Sequence, residues 1–186
     1  VGTNQGLWHF DGASWQEYMV EELPKDVTAV TAAADGSVWF GTDHGASRFD
    51  GQTWQTYTTA DGLRDDLIWQ ISAASDGLVW LNPHLGLSSF DGTHWTHYDQ
   101  VDFNASSMAA SSGGAVWLTM RNDNTVYRFD GKNLLSYPPG FRWVHSITAA
   151  PEGVTWFGTD RGMYHFDGEN WTTYIDDVFG TAVTTA

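Results

Sequence analysis

FDGQTWQTY, residues 49–57, is one of five copies of a single phrase in this chain of 186 residues. The other copies begin at Phe10, Phe90, Phe129 and Phe166, at successive intervals of 39, 41, 39 and 37 residues. A Trp stands five residues after the Phe, except in the fourth copy, where Leu134 replaces it, and a Tyr stands eight residues after the Phe in every copy. Self-similarity with a period near 40 residues indicates a repeat fold.

Two further blocks accompany the phrase. A small apolar block reads TAVTAA at 28–33 and returns at residues 69, 106, 145 and 181, and an aromatic block begins at Trp39, Trp80, Trp117 and Trp156. Each unit therefore holds four short runs of β-branched, aromatic and small residues, separated by Gly, Asp and Asn. This pattern is typical of four strands. Because no stretch shows a 3.6-residue apolar period, the sequence predicts essentially no helix.

Four strands in each repeat are typical of a β-propeller blade. We name them A to D in chain order: TAVTAA is strand A, the aromatic block is strand B, and the phrase carries the end of strand C and all of strand D. We therefore expect one all-β domain, a five-bladed β-propeller with four antiparallel strands per blade. The expected blades span 1–18 plus 177–186, 26–57, 66–98, 103–137 and 142–174.

The two ends of the chain predict how the ring closes. The chain opens on strands B to D and finishes on a strand A, TAVTTA at 181–186. Strands A and B are nine residues apart in each complete repeat, as from Val30 to Trp39, so about six residues would separate the two ends of one full turn. Closure of this kind removes exposed sheet edges. The alternative is that the five repeats belong to a longer array.

The aromatic residues have a structural explanation in such a fold. Eight of the 11 Trp residues occupy the repeat positions of strands B and D. Successive side chains of a strand point to opposite faces, so Trp39 and Phe40 should face different neighbouring blades. We interpret these rings as packing residues, since large aromatics dominate core energetics. Asp50-Gly51 is predicted to form the turn between strands C and D.

Trp39-Phe40-Gly41-Thr42, Gly45, Phe49-Asp50-Gly51, Trp54 and Tyr57 together resemble the two-component regulator propeller repeat of bacteria. The resemblance covers nearly the whole chain in five copies. It implies a β-propeller that often forms the periplasmic sensor part of membrane histidine kinases, and hence an extracellular or periplasmic location, although the residues leave the cytoplasm open. The third and fourth copies depart from the pattern at Asn82-Pro83 and Thr119-Met120, where the Gly and Thr are lost.

Composition excludes several kinds of partner. The formal net charge is −15, from 23 acidic and 8 basic residues. Such a charge opposes binding to nucleic acid and to anionic membrane surfaces. The chain has no cysteine, and hence no disulfide and no thiol ligand for a metal. No apolar run approaches the roughly 20 residues of a membrane helix, so no membrane insertion is expected, and the first residues show no signal-peptide pattern.

Length varies only in the B-to-C and D-to-A connections. From the strand B Trp to the strand C Phe the distance is ten residues in three repeats but twelve from Trp117 to Phe129. In an up-and-down blade both kinds of connection lie on the same face of the propeller. Loops on a rigid scaffold commonly carry binding sites, so this face and the mouth of the central channel form the predicted site. The alternative is drift in loops without a function.

The residues of this face that differ between repeats are the candidate ligand-binding residues. Trp69 and Trp143 lie at the start of strand A, outside the aromatic repeat, with Phe103 at the corresponding loop, and His145 occupies the repeat position of Trp69. In the five repeats, the residues four positions after the strand B Trp position are Asn4, Asp43, His84, Arg121 and Asp160. Aromatic faces beside planar polar groups suit sugar recognition. The alternative for each aromatic is burial at the base of its loop.

We therefore expect a non-catalytic recognition or sensor module that binds a polar small molecule or glycan, as a monomer. A protein-interaction platform is the alternative, followed by a glycosidase-like enzyme that uses two carboxylates of the loops. The candidate acids are Asp65, Asp66, Asp99, Asp102, Asp176 and Asp177. The sequence has no zinc motif, phosphate loop or nucleophile elbow. No catalytic residue and no cofactor are therefore expected, while paired loop acids leave a Ca²⁺ site open.

Overall fold

The computed structural model describes residues 2–3, 6–10, 12–18, 26–99, 105–120, 125–137, 143–150 and 153–176. These residues form an all-β structure of sheets in which the strands lie side by side in chain order. Four of the sheets have four strands each and one has three. The helical structure in the described part of the chain is a single 3₁₀ turn, Thr59–Asp61.

The strands group into five sheets. Sheet 1 comprises β1 (Gly2–Thr3), β2 (Gly6–Phe10) and β3 (Trp15–Tyr18). Sheet 2 comprises β4 (Val27–Ala32), β5 (Val38–Thr42), β6 (Gly45–Phe49) and β7 (Trp54–Tyr57). Sheet 3 comprises β8 (Ile68–Ala73), β9 (Val79–Pro83), β10 (Leu87–Phe90) and β11 (Trp95–Tyr98). Sheet 4 comprises β12 (Ala105–Ser111), β13 (Ala115–Met120), β14 (Val126–Phe129) and β15 (Leu134–Tyr137). Sheet 5 comprises β16 (Val144–Ala149), β17 (Thr155–Thr159), β18 (Gly162–Phe166) and β19 (Trp171–Asp176).

The predicted strands are confirmed wherever the structure describes them. Repeats two to five form sheets of strands A to D, and the first repeat contributes strands B to D as sheet 1. The strand A predicted at 181–186 lies outside the described residues. The count of five blades, the closure of the ring and the boundaries of the blades therefore stay predictions.

The chain gathers into two compact units. The first comprises Val1–Ser72 and Val79–Asp102, and the second comprises Ala73–Leu78 and Phe103–Ala186. Sheets 1 and 2 and most of sheet 3 belong to the first unit, and sheets 4 and 5 belong to the second. Each unit has its own aromatic core.

In the first unit, the core lies between sheets 2 and 3. Trp39 and Tyr57 of sheet 2 stack with ring centres 5.4 Å apart. Phe90 of sheet 3 meets both, at 5.6 Å from Trp39 and 5.2 Å from Tyr57. On the opposite face of sheet 2, Phe40 lies 5.4 Å from Trp54. Trp39 and Phe40, neighbours in sequence and both buried, thus pack on opposite faces as the two-residue period of a strand requires.

The second unit repeats this arrangement between sheets 4 and 5. Trp117 of sheet 4 lies 5.4 Å from Tyr137 of its own sheet and 5.4 Å from Phe166 of sheet 5. Tyr137 lies 5.2 Å from Phe166, and Trp171 lies 5.1 Å from Phe166. The strand B Trp and strand D Tyr of one sheet therefore pack on the strand C Phe of the next. The repeated phrase is a packing element here, as the sequence predicts.

Some of the repeated aromatics are exposed instead. In the first unit, Phe10 and Trp15 of sheet 1 face solvent, and Trp15 exposes 57% of its surface. In the second unit, Tyr174 of sheet 5 is exposed and its ring lies 4.9 Å from that of Trp156. Trp15, which the sequence predicts as a packing residue, is therefore exposed among the described residues. The strand predicted to complete its blade, at 181–186, lies outside them.

The Asp of the repeated phrase holds the turn between strands C and D. In sheet 2, the Asp50 carboxylate accepts hydrogen bonds from the backbone N–H groups of Thr53 (2.7 Å) and Gln52 (2.8 Å). These bonds, with that from Thr53 contributing most, lower the pKa of Asp50 from its usual 3.8 to about 2. Asp91 and Asp130 accept equivalent backbone bonds at 2.7 Å, and their pKa values are also lowered to about 2.

The turn carboxylates predict a loss of stability in acid. A carboxylate whose pKa is lower in the folded state stabilises that state above the pKa of the unfolded chain, and loses this effect as the pH falls through the folded pKa. We therefore expect the free energy of unfolding to fall between about pH 4 and pH 2. A variant with Asn in place of Asp50, Asp91, Asp130 and Asp167 should show a shallower fall, measured by urea denaturation at each pH.

A matched control lies in the last of these turns. Glu169 is exposed, and Glu169→Gln removes one negative charge while keeping the backbone N–H that residue 169 donates to the Asp167 carboxylate at 2.9 Å. This variant should keep the wild-type dependence of unfolding free energy on pH. If the four-Asn variant also kept it, the turn carboxylates would not be the source of the acid sensitivity.

Candidate functional site

The B-to-C turns and D-to-A loops meet within each unit. In the first unit, the Gly45 N–H donates to the Asp66 carbonyl at 2.7 Å, and the His84 N–H donates to the Leu67 carbonyl at 2.8 Å. In the second unit, the Asp160 N–H donates to the backbone carbonyl of Trp143 at 3.1 Å. Within each unit, these bonds confirm that the two kinds of variable connection share one end of the sheets. We call this the loop end of the unit.

Carboxylates build the loop that enters sheet 3. Thr58 and Asp61 form a capping box that supports the 3₁₀ turn, which the strand pattern alone did not predict. Asp65 and Asp66 each accept a backbone N–H, at 2.8 and 2.7 Å, and Leu63 is buried beneath the loop. Two of the acids considered for glycoside cleavage, Asp65 and Asp66, thus hold the backbone of their own loop.

Trp69 and His84, both predicted site residues, come together at the loop end of the first unit. Trp69 is the second residue of β8 and is 42% exposed. Its ring centre lies 6.5 Å from that of His84, whose side chain is also exposed. Leu85 beside His84 is exposed as well. The pair presents an indole face next to an imidazole, which can donate or accept a hydrogen bond.

The other polar groups of this end form local bonds. The Asp43 carboxylate, a predicted site residue, lies 2.5 Å from Nδ1 of the adjacent His44. Asp99 forms an ion pair with the Arg64 guanidinium, which lies close to Gly86 of the sheet 3 turn. Asp43 is exposed at the predicted loop end, and its carboxylate is engaged by His44. The described contacts of Asp43 include neither Trp69 nor His84.

Trp143 and Asp160, both predicted site residues, come together at the loop end of the second unit. The Trp143 side chain is 51% exposed, and its backbone N–H donates to the Asp160 carboxylate at 3.0 Å. Together with the bond from the Asp160 N–H, this bond ties the start of sheet 5 to its B-to-C turn. His145, two residues further on, is also exposed, at the point where the register of β16 with β17 shifts. Asp160 therefore positions Trp143.

The second residue of strand A is exposed in each of the four sheets whose strand A the structure describes. These residues are Thr28, Trp69, Ser106 and His145. The position is structurally equivalent in the four sheets but carries a different side chain in each, as the sequence comparison of the repeats indicates. Phe103, Arg121 and Asn4, also predicted for the site, lie outside the described residues.

Asn82 is a residue of this region that the sequence analysis did not place in the site. It is the fourth residue of β9 and is 1% exposed. Its Oδ1 has no hydrogen-bond partner among the described residues. Sheets 2 and 5 have Gly41 and Gly158 at this position. The signal that could have found Asn82 is this loss of the repeated Gly.

The described part of the chain contains no group of three His, Asp or Glu side chains that could hold a metal ion. No helix among the described residues is long and apolar enough to cross a membrane.

No family model and no curated protein matches the sequence. Several solved structures match it in fold. An extracellular domain of a hybrid two-component system from B. thetaiotaomicron has a TM-score of 0.66 and 18% identity, over 95% of this chain and 26% of that one. Virginiamycin B lyase from Staphylococcus aureus has a TM-score of 0.67 and 16% identity, over 91% and 62% of the two chains. YCF48 bound to a D1 peptide has a TM-score of 0.63 and 13% identity, over 89% and 58%.

These likenesses show the fold. Propeller-type sensor domains are among the similar structures, as the resemblance of the repeat implied, and the propeller architecture of the sheets is confirmed. The chain spans about a quarter of the length of the extracellular domain and about three fifths of the lyase. A sensor, an enzyme and a peptide-binding protein share this architecture, so function depends on the site.

Proposed function

We propose that this chain is a non-catalytic recognition module that binds a polar small molecule or glycan at the loop ends of its sheets. The observation that carries the proposal is the exposure of Trp69 and Trp143, each at the loop end of its own unit. Trp69 lies close to the exposed His84, Trp143 precedes the exposed His145 by two residues, and neither Trp belongs to the packing repeat. Exposed aromatic surface rimmed by polar groups marks binding sites.

The chemistry of the two Trp sites suits a sugar. An indole offers a flat apolar face for the C–H face of a pyranose ring. His84 and His145 add groups that donate to or accept from hydroxyls. A few polar groups beside an apolar platform are the usual composition of a small-molecule site.

The bonding of the loop carboxylates supports a non-catalytic role. Asp65 and Asp66 accept backbone N–H groups, and Asp160 accepts the Trp143 N–H. A glycosidase instead needs two carboxyl groups that flank the scissile bond. We propose that the module works without a catalytic residue and without a cofactor.

A protein-interaction platform is the second candidate function. The similar structure of YCF48 is bound to a D1 peptide, which supports peptide binding by a propeller of this kind. Two-component sensors with extracellular domains are also similar in fold. On that basis we propose an extracellular or periplasmic module whose ligand binding is read by other parts of a sensor system.

We further propose that the repeats close into a five-bladed, monomeric ring. Sheet 1 exposes the Phe and Trp of the packing repeat, and sheet 5 exposes its Tyr. The same repeat positions pack on one another between sheets 2 and 3 and between sheets 4 and 5. A closed ring predicts that Trp15→Ala destabilises a monomer as much as loss of a buried Trp does. An open array predicts little effect of Trp15→Ala, and self-association in light scattering.

The Trp residues of the loop ends provide the test of ligand binding. Trp69→Ala and Trp143→Ala together should lower affinity for the bound glycan by at least about tenfold, because the stacking surface is lost. Binding is measured by titration calorimetry with hits from a glycan array, and folding by circular dichroism. Leu135→Ala removes an exposed apolar side chain on the outermost strand of sheet 4 and should leave affinity unchanged.

Two results would contradict glycan recognition. One is the absence of any hit on the array together with unchanged Trp fluorescence on titration with sugars. The other is retained binding in the double variant. The first result would favour the protein-interaction platform, and the second would move the glycan site away from Trp69 and Trp143.

A further inference from the structure

We propose that Asn82 and Trp69 form a subsite for a protonated amine, so that the ligand of the first unit is a small polar molecule such as an amino sugar. This inference rests on the proposed recognition function and names the class of ligand. It depends on three observations: a buried amide oxygen without a partner among the described residues, the contacts of the equivalent positions in sheets 2 and 4, and the charge of the surrounding loops.

Asn82 replaces the Gly that two other repeats have at this position, and its buried side-chain oxygen is expected to lower the stability of the fold. Gly41 and Gly158 carry no side chain at this position. In sheet 4 the position holds Thr119, whose hydroxyl pairs with the Ser106 hydroxyl at 3.0 Å. The Asn82 Oδ1 is buried without a partner among the described residues. Because a buried unpaired acceptor is destabilising, such a group is a candidate for a functional role.

The contacts of the equivalent residues in sheets 2 and 4 lead us to infer that Asn82 lies close to Trp69. In sheet 2, a Cβ added to Gly41 would lie 3.2 Å from the Thr28 hydroxyl, and in sheet 4 Ser106 touches Thr119. In both sheets the second residue of strand A therefore meets the residue two positions after the strand B Trp. The equivalent pair in sheet 3 is Trp69 and Asn82. An exposed side chain changes rotamer within nanoseconds, so movement of the Trp69 indole can open the amide to a ligand.

The charge of the surrounding loops favours a cation. Among the described residues at the loop end of the first unit, carboxylates outnumber Lys and Arg side chains: Arg64 is accompanied by Asp43, Asp61, Asp65, Asp66 and Asp99. An excess of one sign of charge raises the local concentration of the opposite sign. Trp is the strongest aromatic partner for a cation, and an ammonium group has three donors and no acceptor. The Asn82 acceptor, the Trp69 indole and the negative charge of the loops thus all favour a protonated amine.

The test compares three sugars that differ in one group. Glucosamine carries the protonated amine, N-acetylglucosamine replaces it by a neutral amide, and glucose replaces it by a hydroxyl. We expect titration calorimetry to show the tightest binding for glucosamine. Asn82→Leu should weaken glucosamine binding about tenfold or more, as expected when a hydrogen bond to a charged group is lost. The melting temperature without ligand should stay the same or rise, because the unpaired oxygen is removed.

Matched variants separate this inference from the proposed function. Thr119→Val changes the equivalent position of sheet 4 and should leave glucosamine affinity unchanged. If Asn82→Leu failed to fold, Asn82→Gly, which restores the residue of the repeat, would decide in its place. Wild-type affinity for glucosamine in the Asn82 variant would overturn the amine subsite alone, and so would binding of neutral glycans without glucosamine. Failure of every sugar to bind would overturn both proposals.

Discussion

Gly45→Ala should destabilise the protein by about 3–5 kcal/mol, enough to unfold much of a marginally stable domain. Gly45 opens β6 with φ +121°, a conformation that L side chains rarely adopt. An added Cβ would overlap the backbone carbonyl oxygen of Tyr57, which belongs to the neighbouring strand β7. Since a backbone atom held in a sheet cannot move aside like a side chain, the strand pair itself would have to separate.

Gly51→Ala is the matched control for this substitution. Gly51 also has a positive φ, of +97°, but nothing lies within 4 Å of an added Cβ. Its substitution should therefore cost only the penalty of the left-handed conformation, about 1–2 kcal/mol. Urea denaturation of the two variants measures the difference. Equal losses of unfolding free energy would show that the overlap with Tyr57 is relieved at no cost.

Trp117→Ala should lower the free energy of unfolding by about 3–5 kcal/mol, as expected for removal of a buried Trp. Trp117 is 3% exposed and lies 5.4 to 5.5 Å from the rings of Tyr137, Phe157 and Phe166. It thus joins sheet 4 to sheet 5 within the second unit. Its loss would leave a cavity lined by aromatic rings and would remove favourable ring pairs as well as buried area.

Trp143→Ala is the comparison for Trp117→Ala. Trp143 belongs to the same unit but is 51% exposed, so its replacement should change the unfolding free energy by less than about 1 kcal/mol. Thermal and urea denaturation of the two variants test the distinction between packing and site Trp residues. A loss for Trp143→Ala as large as that for Trp117→Ala would mean that Trp143 is a core residue, and would remove it from the proposed site.

The fold was largely predictable because its signals are local and repeated. Asp50-Gly51 forms the turn that its residue types favour, and strands such as β5 and β7 lie where the β-branched and aromatic runs stand. The 3₁₀ turn at Thr59–Asp61 was missed because its cap depends on the Asp61 side chain reaching back to the Thr58 N–H. A strand pattern carries no information about such a bond.

The candidate site was predictable only in part. Trp69 lies in β8 and His84 directly follows β9, and the repeat alignment places both at the loop end where the structure brings them together. Asp160 is predicted as a ligand-binding residue, and the structure adds that its carboxylate accepts the Trp143 N–H. Its role is a matter of hydrogen-bond geometry, which residue type alone cannot show.

The sequence by itself determined the strands, their turns and their order in each sheet, because these depend on side-chain period and turn chemistry over a few residues. It also determined which positions repeat and which do not. Only the tertiary structure decided which of the repeated positions are covered. Trp117 is buried while Trp15 is exposed, although both occupy packing positions of the repeat, because burial depends on the sheet that lies next to a residue. The unpaired oxygen of Asn82 likewise appears only once the neighbours of the side chain are known.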